Sequence, residues 1–353
     1  MTKVAIISDS HYGVRGDNIH FLDMTKSFLD NVFFPTLEEQ KIQTIIHLGD
    51  LVDKRKSISY LTAKRLREDF LTPLELYTSH FIVGNHDCQF KNTNDVNALT
   101  ELLGTDNPSI SIYTKAKEIQ VGGYKILLIP WICDDNREHS MKLIQNTTAQ
   151  LCMGHLEIQG FEMYKGSVAT HGESRTTFDK FDMTLSGHYH HRSSDGCITY
   201  VGSHGEFTWS DYDDPRGFHI LDLNTRELTF YKNPYTMFTK LWYSDLEKQL
   251  EDLLDLDSSV VTGKYIKLIV TNKTNPYWFD IYCSKLEKMD PISIQIVEDH
   301  LNLNLDDAED IVDEAESTID IFRKHIDQIE GNVNKLKLEL LMTDLYTQAL
   351  TVD

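Results

Sequence analysis

The first two hundred residues alternate short apolar runs with longer stretches of helical period. Val4 to Ile7, Thr44 to Leu48, Phe81 to Val83, Lys125 to Ile129, Ala149 to Met153, Met183 to Leu185 and Ile198 to Val201 are unbroken and mostly apolar. They are too short for helices and are predicted to be strands. Phe21 to Phe34 and Tyr60 to Leu71 read as helices between the early strands. The first is predicted to end at Pro35, because proline has no N–H to continue the ladder. Strand, crossover helix, strand at this rhythm predicts an α/β domain with much parallel or mixed sheet. Asp214-Pro215-Arg216-Gly217 reads as a turn. Phe218 to Leu223 and Glu227 to Tyr231 then form a predicted hairpin across Asn224-Thr225-Arg226.

Asn233-Pro234 is the expected start of a linker. After it come a helix from about Asp245 to Leu256, a strand (Lys264 to Val270), a helix starting near Pro276 and a strand (Ile292 to Val297). This is a small βαβ-like unit, too small to be a catalytic body. From Val312 the period changes. Val312, Ala315, Ile319, Phe322, Ile326, Ile329, Val333, Leu336 and Leu340 recur at alternating steps of three and four, a heptad seam. Gly331 interrupts it, which predicts two helices with a break at Gly331-Asn332. The seam serves either as a helical pair packed on its own domain or as a surface for a partner's helices. The expected organisation is therefore a body over 1–235, a small α/β unit over 236–303 and a helical segment over 304–353.

Composition narrows the picture. Of 353 residues, 41% are apolar and 25% charged, which fits a folded globular chain and excludes wholesale disorder. No apolar stretch approaches the roughly 18 residues a membrane helix needs, so no span is expected. Met1-Thr2-Lys3 runs straight into the first strand, so no secretory leader is expected either. The five cysteines are scattered and never spaced CxxC. A disulfide framework or zinc knuckle is not expected, and a reducing cytoplasm is the natural compartment. The net charge of −21 is concentrated after residue 240 and argues against nonspecific coating of DNA. It leaves room for an enzyme that meets an anionic substrate through bound cations.

The chemistry lies just past the strands. Val4 to Ser8 leads into Asp9-Ser10-His11, and Thr44 to Leu48 leads into Gly49-Asp50-Leu51-Val52-Asp53. Phe81 to Val83 leads into Gly84-Asn85-His86-Asp87, Leu151 to Met153 into Gly154-His155, and Thr184 to Ser186 into Gly187-His188-Tyr189-His190. Each motif alone is weak. Five hydrophobic strands each delivering Asp, Asn or His at the carboxyl edge are a strong signal, because open α/β sheets place their sites there. Glycine before the ligand in four of the five lets backbone approach closely. Carboxylate, carboxamide and imidazole suit Mn²⁺, Fe²⁺ or Mg²⁺ rather than thiolate-seeking metals. Two such ions held close together need a shared carboxylate, and Asp50 is the natural bridge.

The order of these motifs resembles that of the calcineurin-like metallophosphoesterases. Within them the chain is similar to the double-strand-break repair nucleases of the SbcD type, and most like the recombination endonuclease subunits of T-even-like phages. The supporting segments are Gly49 to Lys56, Val83 to Asp87, Ile129-Pro130-Trp131 and Asp214 to Phe218. The resemblance implies a sheet sandwich flanked by helices, with a small α/β capping domain and a C-terminal helical segment. It implies two divalent ions, Mn²⁺ first and Mg²⁺ as the alternative. Asp9, His11, Asp50 and His190 would hold one ion, and Asp50, Asn85, His155 and His188 the other. His86 would act on the scissile phosphate, and Asp53 resembles the carboxylate that orients that histidine. Lys54, Arg55 and Lys56 are candidate holders of DNA phosphates, with Arg65, Arg67 and Arg192 as further candidates. The implied activity is exonuclease and endonuclease cleavage of DNA, double-stranded ends and single strands alike, in recombination, repair and replication. The implied assembly is a homodimer within a heterotetramer with a coiled-coil SMC-like ATPase, in the cytoplasm of a bacterium or of a phage's host. Two alternatives share these residues: a phosphoprotein or nucleotide phosphatase, and a catalytically silent repair scaffold.

Overall fold

A computed structural model describes residues 2–104, 107–298, and Lys335, Lys337 and Leu338. The predicted heptad seam and the 304–353 segment otherwise lie outside the described residues, as does the end of the 236–303 unit. Residues 1–298 form one compact unit.

The strands in chain order are β1 Lys3–Ile7, β2 Thr44–His47, β3 Thr78–Ile82, β4 Ile110–Tyr113, β5 Lys117–Val121, β6 Tyr124–Ile129 and β7 Leu151–His155. Then come β8 Glu162–Tyr164, β9 Ser167–Val168, β10 Met183–Gly187, β11 Ser193–Ser194, β12 Ile198–Tyr200, β13 Gly217–Asp222 and β14 Leu228–Lys232. The last three are β15 Phe238–Ser244, β16 Tyr265–Asn272 and β17 Ser293–Glu298. Two six-stranded sheets form the body, ordered β14-β13-β1-β2-β3-β4 and β11-β12-β10-β7-β6-β5. Their central strands are parallel, and antiparallel strands (β13 against β1, β5 against β6) flank them.

The apolar runs follow from this layering. A strand covered on both faces has no polar side, so it reads as continuous Val, Ile and Leu. Val4 and Ile6 point between the sheets with Ile46, Ile126, Leu128 and Leu185. Their neighbours Ala5 and Ile7 point the other way, onto Leu22, Phe28 and Phe70 of the covering helices. Alternate residues face opposite sides of a strand, so one run feeds two cores.

Pro35 does not end the first helix. The chain is helical from Ile19 to Glu39, with a wider π-turn over Leu29–Phe33 and Pro35 at the start of the segment that follows. The π-turn changes the hydrogen-bond partners, and a missing N–H at the start of the new segment costs little. Tyr60–Leu74 repeats the device, with a π-turn over Leu66–Leu71 and Pro73 after it.

Residues 238–298 build a parallel three-stranded sheet, β15-β16-β17, with the helix Pro276–Glu287 on one face. Their core is Tyr243, Ile266, Leu268, Val270, Phe279, Tyr282 and Leu286. The predicted helix from Asp245 shrinks to Leu250–Leu253. Asp245 is spent elsewhere, since its carboxylate accepts from the N–H groups of Thr274 and Asn275 before the longer helix. The unit seats on the body through Phe21, Met24, Phe207, Met237 and Phe238. Asn18 also donates to the Tyr265 hydroxyl at 2.7 Å.

The buried Glu206 carboxylate ties this junction. One of its oxygens accepts from the N–H groups of Met237 (2.7 Å) and Phe238 (3.1 Å), where β15 begins. Burial pushes its pKa from the ordinary 4.5 to about 7; the two N–H donors pull the other way, Asp211 adds to the rise and Arg216 opposes it. Between those two values the unfolded chain has lost a proton that the folded chain keeps. Stability from this group therefore falls as pH rises from about 4.5 to about 7 and stays lower above. Glu206→Gln keeps the accepting oxygen and removes the charge. It is expected to raise the melting temperature at pH 8 and to change it little at pH 5, as read by differential scanning fluorimetry. Equal shifts at both values would count against a charged Glu206.

Candidate metal centre

The parallel strands end in register, which brings their loops together. Ile7 pairs with His47 and His47 with Phe81 in one sheet, and Gly187 pairs with His155 in the other. The loops after β1 and β2 are then laced by backbone bonds, Asp9 N–H to the Gly49 carbonyl at 3.0 Å and His11 N–H to that of Asp50 at 3.1 Å. Asp9, His11, Asp50 and His188 all have positive φ, between 42° and 88°. Non-glycine residues rarely occupy that region, and such strain persists where the surroundings fix it.

The structure brings Asp9, His11, Asp50, Asn85, His155, His188 and His190 into one cluster. Ligand atoms of Asp9, His11 and His190 lie within 4.8 Å of one another, as do those of Asp50, His155 and His188. His155 Nε2 is 3.2 Å from Asp50 Oδ2 and 2.8 Å from Asn85 Oδ1. His188 Nδ1 is 3.0 Å from the same Asn85 oxygen. His11 Nε2 is 3.0 Å from His190 Nε2 and 3.8 Å from Asp50 Oδ2. Asp50 thus faces histidines of both groups.

Neighbouring main chain fixes the rings. The His155 Nδ1–H donates to the Leu48 carbonyl at 2.7 Å, which makes Nε2 the nitrogen that faces the cluster. His86 Nδ1–H donates to the Asp53 carbonyl at 2.6 Å, so Nε2 is the nitrogen that can meet a substrate. The Asp53 carboxylate lies 3.2 Å from His11 Nδ1. The Asp53 main chain thus holds His86, while its carboxylate contacts His11 and has an oxygen within 4.8 Å of a His86 ring nitrogen.

Burial lowers the pKa of His11, yet the Asp53 hydrogen bond and Asp50 outweigh it and hold it up at about 10. His155 shows the same contest, with burial overridden by Asp50, at about 9. Asp50 is held well below the usual carboxylate range, burial being overcome by His155 and His86. Burial lowers His86, with Asp50 opposing. This donor set fits divalent cations: buried carboxylates, a carboxamide oxygen and imidazole nitrogens converge, and a hard or borderline ion accepts all three.

Two further supports were not legible as such. Asp87, the last residue of the Gly-Asn-His-Asp motif, accepts from the N–H groups of Gly84 (2.8 Å), Asp50 (2.9 Å), Leu51 (2.9 Å) and Val52 (3.2 Å). One buried carboxylate thus shapes the loop that presents Asp50. Glu157 lies 3.9 Å from His188 Nε2 and 3.0 Å from His171. Its place two residues after His155 is the only sequence signal.

The basic candidates differ in exposure and engagement. Lys54 and Lys56 are exposed and Arg55 is half-buried. Lys54 reaches Asp17 at 2.7 Å. Arg65 is engaged by Asp69 and Asp23, and Arg192 lies over the Phe230 ring at 3.9 Å.

The sequence profile of the calcineurin-like phosphoesterases matches residues 2–192. The chain belongs to this family of metal-dependent phosphoesterases, whose members bind divalent ions. Over 355 aligned residues it is 31% identical to exonuclease subunit 1 of Enterobacteria phage T4, covering 98% of this chain and 99% of that one. It is 23% identical over 325 residues to the SbcD component of the SbcCD nuclease of Staphylococcus epidermidis, covering 79% and 78%. Among solved structures, a purple acid phosphatase from yellow lupin seeds is similar at a TM-score of 0.42 and 14% identity, covering 66% of this chain and 51% of that one.

Proposed function

We propose that this chain is a metal-dependent DNA nuclease that hydrolyses phosphodiesters at DNA ends and within single strands. The observation that carries the reading is the end-to-end match to a phage exonuclease subunit, which extends well past residue 192 where the family profile stops. A phosphatase of the same family would share the metal cluster without needing that extension. In this reading residues 1–235 are the nuclease body, 236–303 cap it and help choose the DNA, and 304–353 bind a partner. The partner would be a coiled-coil ATPase, in an assembly with two copies of this chain, in the cytoplasm. No helix among the described residues is long and apolar enough to cross a membrane.

Asp9, His11, Asp50 and His190 would hold one ion, and Asp50, Asn85, His155 and His188 the other, with manganese favoured over magnesium. Two divalent ions, when bound, lower the pKa of a water and neutralise charge on the phosphate. The rest is the protein's own work. Asp87 and the Leu48 carbonyl hold Asp50 and His155 in place. The Asp53 carbonyl fixes the tautomer of His86, whose Nε2 is assigned to the departing or non-bridging oxygen. Lys54, Arg55 and Lys56 would steer the DNA phosphates toward the cluster.

The test is hydrolysis in Mn²⁺ of linear duplex DNA, a small phosphodiester and the matching monoester. DNA and diester are expected to be cut and the monoester spared, with chelation stopping all turnover. Turnover of the monoester alone, with DNA intact even beside the ATPase, would overturn the reading. His86→Gln is expected to lower kcat by about 10²- to 10⁴-fold while calorimetry shows unchanged ion uptake. An unchanged kcat would remove His86 from the mechanism.

A further inference from the structure

His155 has a second role as the inner wall of a cavity of about 190 Å³ that opens beside the metal cluster. Trp131 forms another wall, its ring 5.0 Å from that of His188 and 6.1 Å from that of His155. Its main chain is locked. The Trp131 N–H donates to the Val83 carbonyl at 2.8 Å, and its carbonyl accepts from the side-chain amides of Asn94 and Asn136, each at 2.9 Å. The far wall is laced as firmly, with Glu173 N–H on the Glu157 carbonyl at 2.7 Å and Gln159 N–H on that of Glu173 at 3.2 Å. Arg137 reaches across to the Glu173 carboxylate at 2.6 Å.

The lining selects its occupant. Glu157, Glu173 and Arg137 line the cavity, and the Arg137 guanidinium is already engaged by Glu173, so hydrogen-bonding edges rather than a free cation dominate the far wall. The cavity offers an aromatic surface on one side and acceptors with a fork of donors on the other. That combination suits a flat, neutral heterocycle whose rim carries N–H groups. The volume lies below that of sites for drug-sized ligands, and fits a single ring system. We propose that the cavity holds one nucleobase of the strand being cut, that of the nucleotide beside the scissile phosphate. The base lies against Trp131, with its polar edge toward Glu173 and Arg137. This rests on the nuclease reading and makes Trp131 a substrate-positioning residue.

An end-labelled single-stranded oligonucleotide with one abasic nucleotide tests it, with the unmodified oligonucleotide alongside, both cut by the full chain in Mn²⁺. Cleavage at one phosphate next to the abasic position is expected to slow about tenfold or more, the size of one lost base–aromatic stack. Every other phosphate should be cut as in the unmodified strand. In Trp131→Ala the local penalty should vanish, since all positions then lack the stack, and Trp131→Phe should restore it. Even cutting across the abasic position by the wild-type chain overturns the inference and leaves the nuclease reading intact. A penalty that persists in Trp131→Ala places the base elsewhere and also overturns it. If neither oligonucleotide is cut anywhere, the nuclease reading itself fails and takes this inference with it.

Discussion

Asp50→Asn is expected to abolish paired uptake of Mn²⁺ in titration calorimetry and to lower phosphodiester hydrolysis by at least about 10³-fold, more than loss of one transition-state hydrogen bond costs. The two oxygens of Asp50 have separate duties. Oδ1 accepts the His86 N–H at 2.8 Å, and Oδ2 faces His155 and His11. An asparagine supplies one oxygen only. Whichever way the amide turns, its NH₂ opposes either the His86 N–H or the histidine cluster. The substitution also removes the buried negative charge that faces the histidines of both groups. The fold should survive, because Asp87 holds the main chain of residues 50–52. Full two-ion uptake with an undiminished rate would show that Asp50 is not the shared ligand.

The position of this cluster was legible in the sequence for a physical reason. Strands covered on both faces are written as uninterrupted apolar runs, so their ends stand out, and Asp9, Asp50, Asn85, His155 and His188 follow those ends directly. The edges were harder. Lys117–Val121 and Phe238–Ser244 mix lysine with apolar residues, because one side of each meets solvent or a neighbouring unit, and neither reads as a strand. Pro35 misled because a π-turn upstream, which has no composition of its own, had already shifted the hydrogen-bond partners. Supports made by main chain left no trace at all. The Leu48 carbonyl orients His155 and the Asp53 carbonyl orients His86, and every residue has a carbonyl. Asp53 shows the limit clearly: the motif names the residue, but not that its carbonyl accepts from His86 while its carboxylate contacts His11.

Gly84→Ala is a single-methyl test of the same architecture. A Cβ built on Gly84 would lie 2.2 Å from Asp50 Oδ1 and 2.3 Å from Asp50 N, far inside contact distance. Neither atom belongs to a flexible end. The Asp50 nitrogen donates to Asp87, and Oδ1 holds the His86 N–H. The methyl must therefore force the end of β3 away from the end of β2. Overpacking of this kind costs about 1–3 kcal/mol. A fall in melting temperature of roughly 2 to 10 °C is expected in calorimetry. The catalytic loss should be larger in proportion, because Asn85 and His86 come next in the chain and move with it. A displacement of about 1 Å can cost about 10² in rate, and diester hydrolysis should fall at least that far. The two readouts separate the causes. A wild-type rate in a chain that melts early would mean that the strand ends can part without moving the ligands, and the close approach of Gly84 to Asp50 would then matter for folding alone.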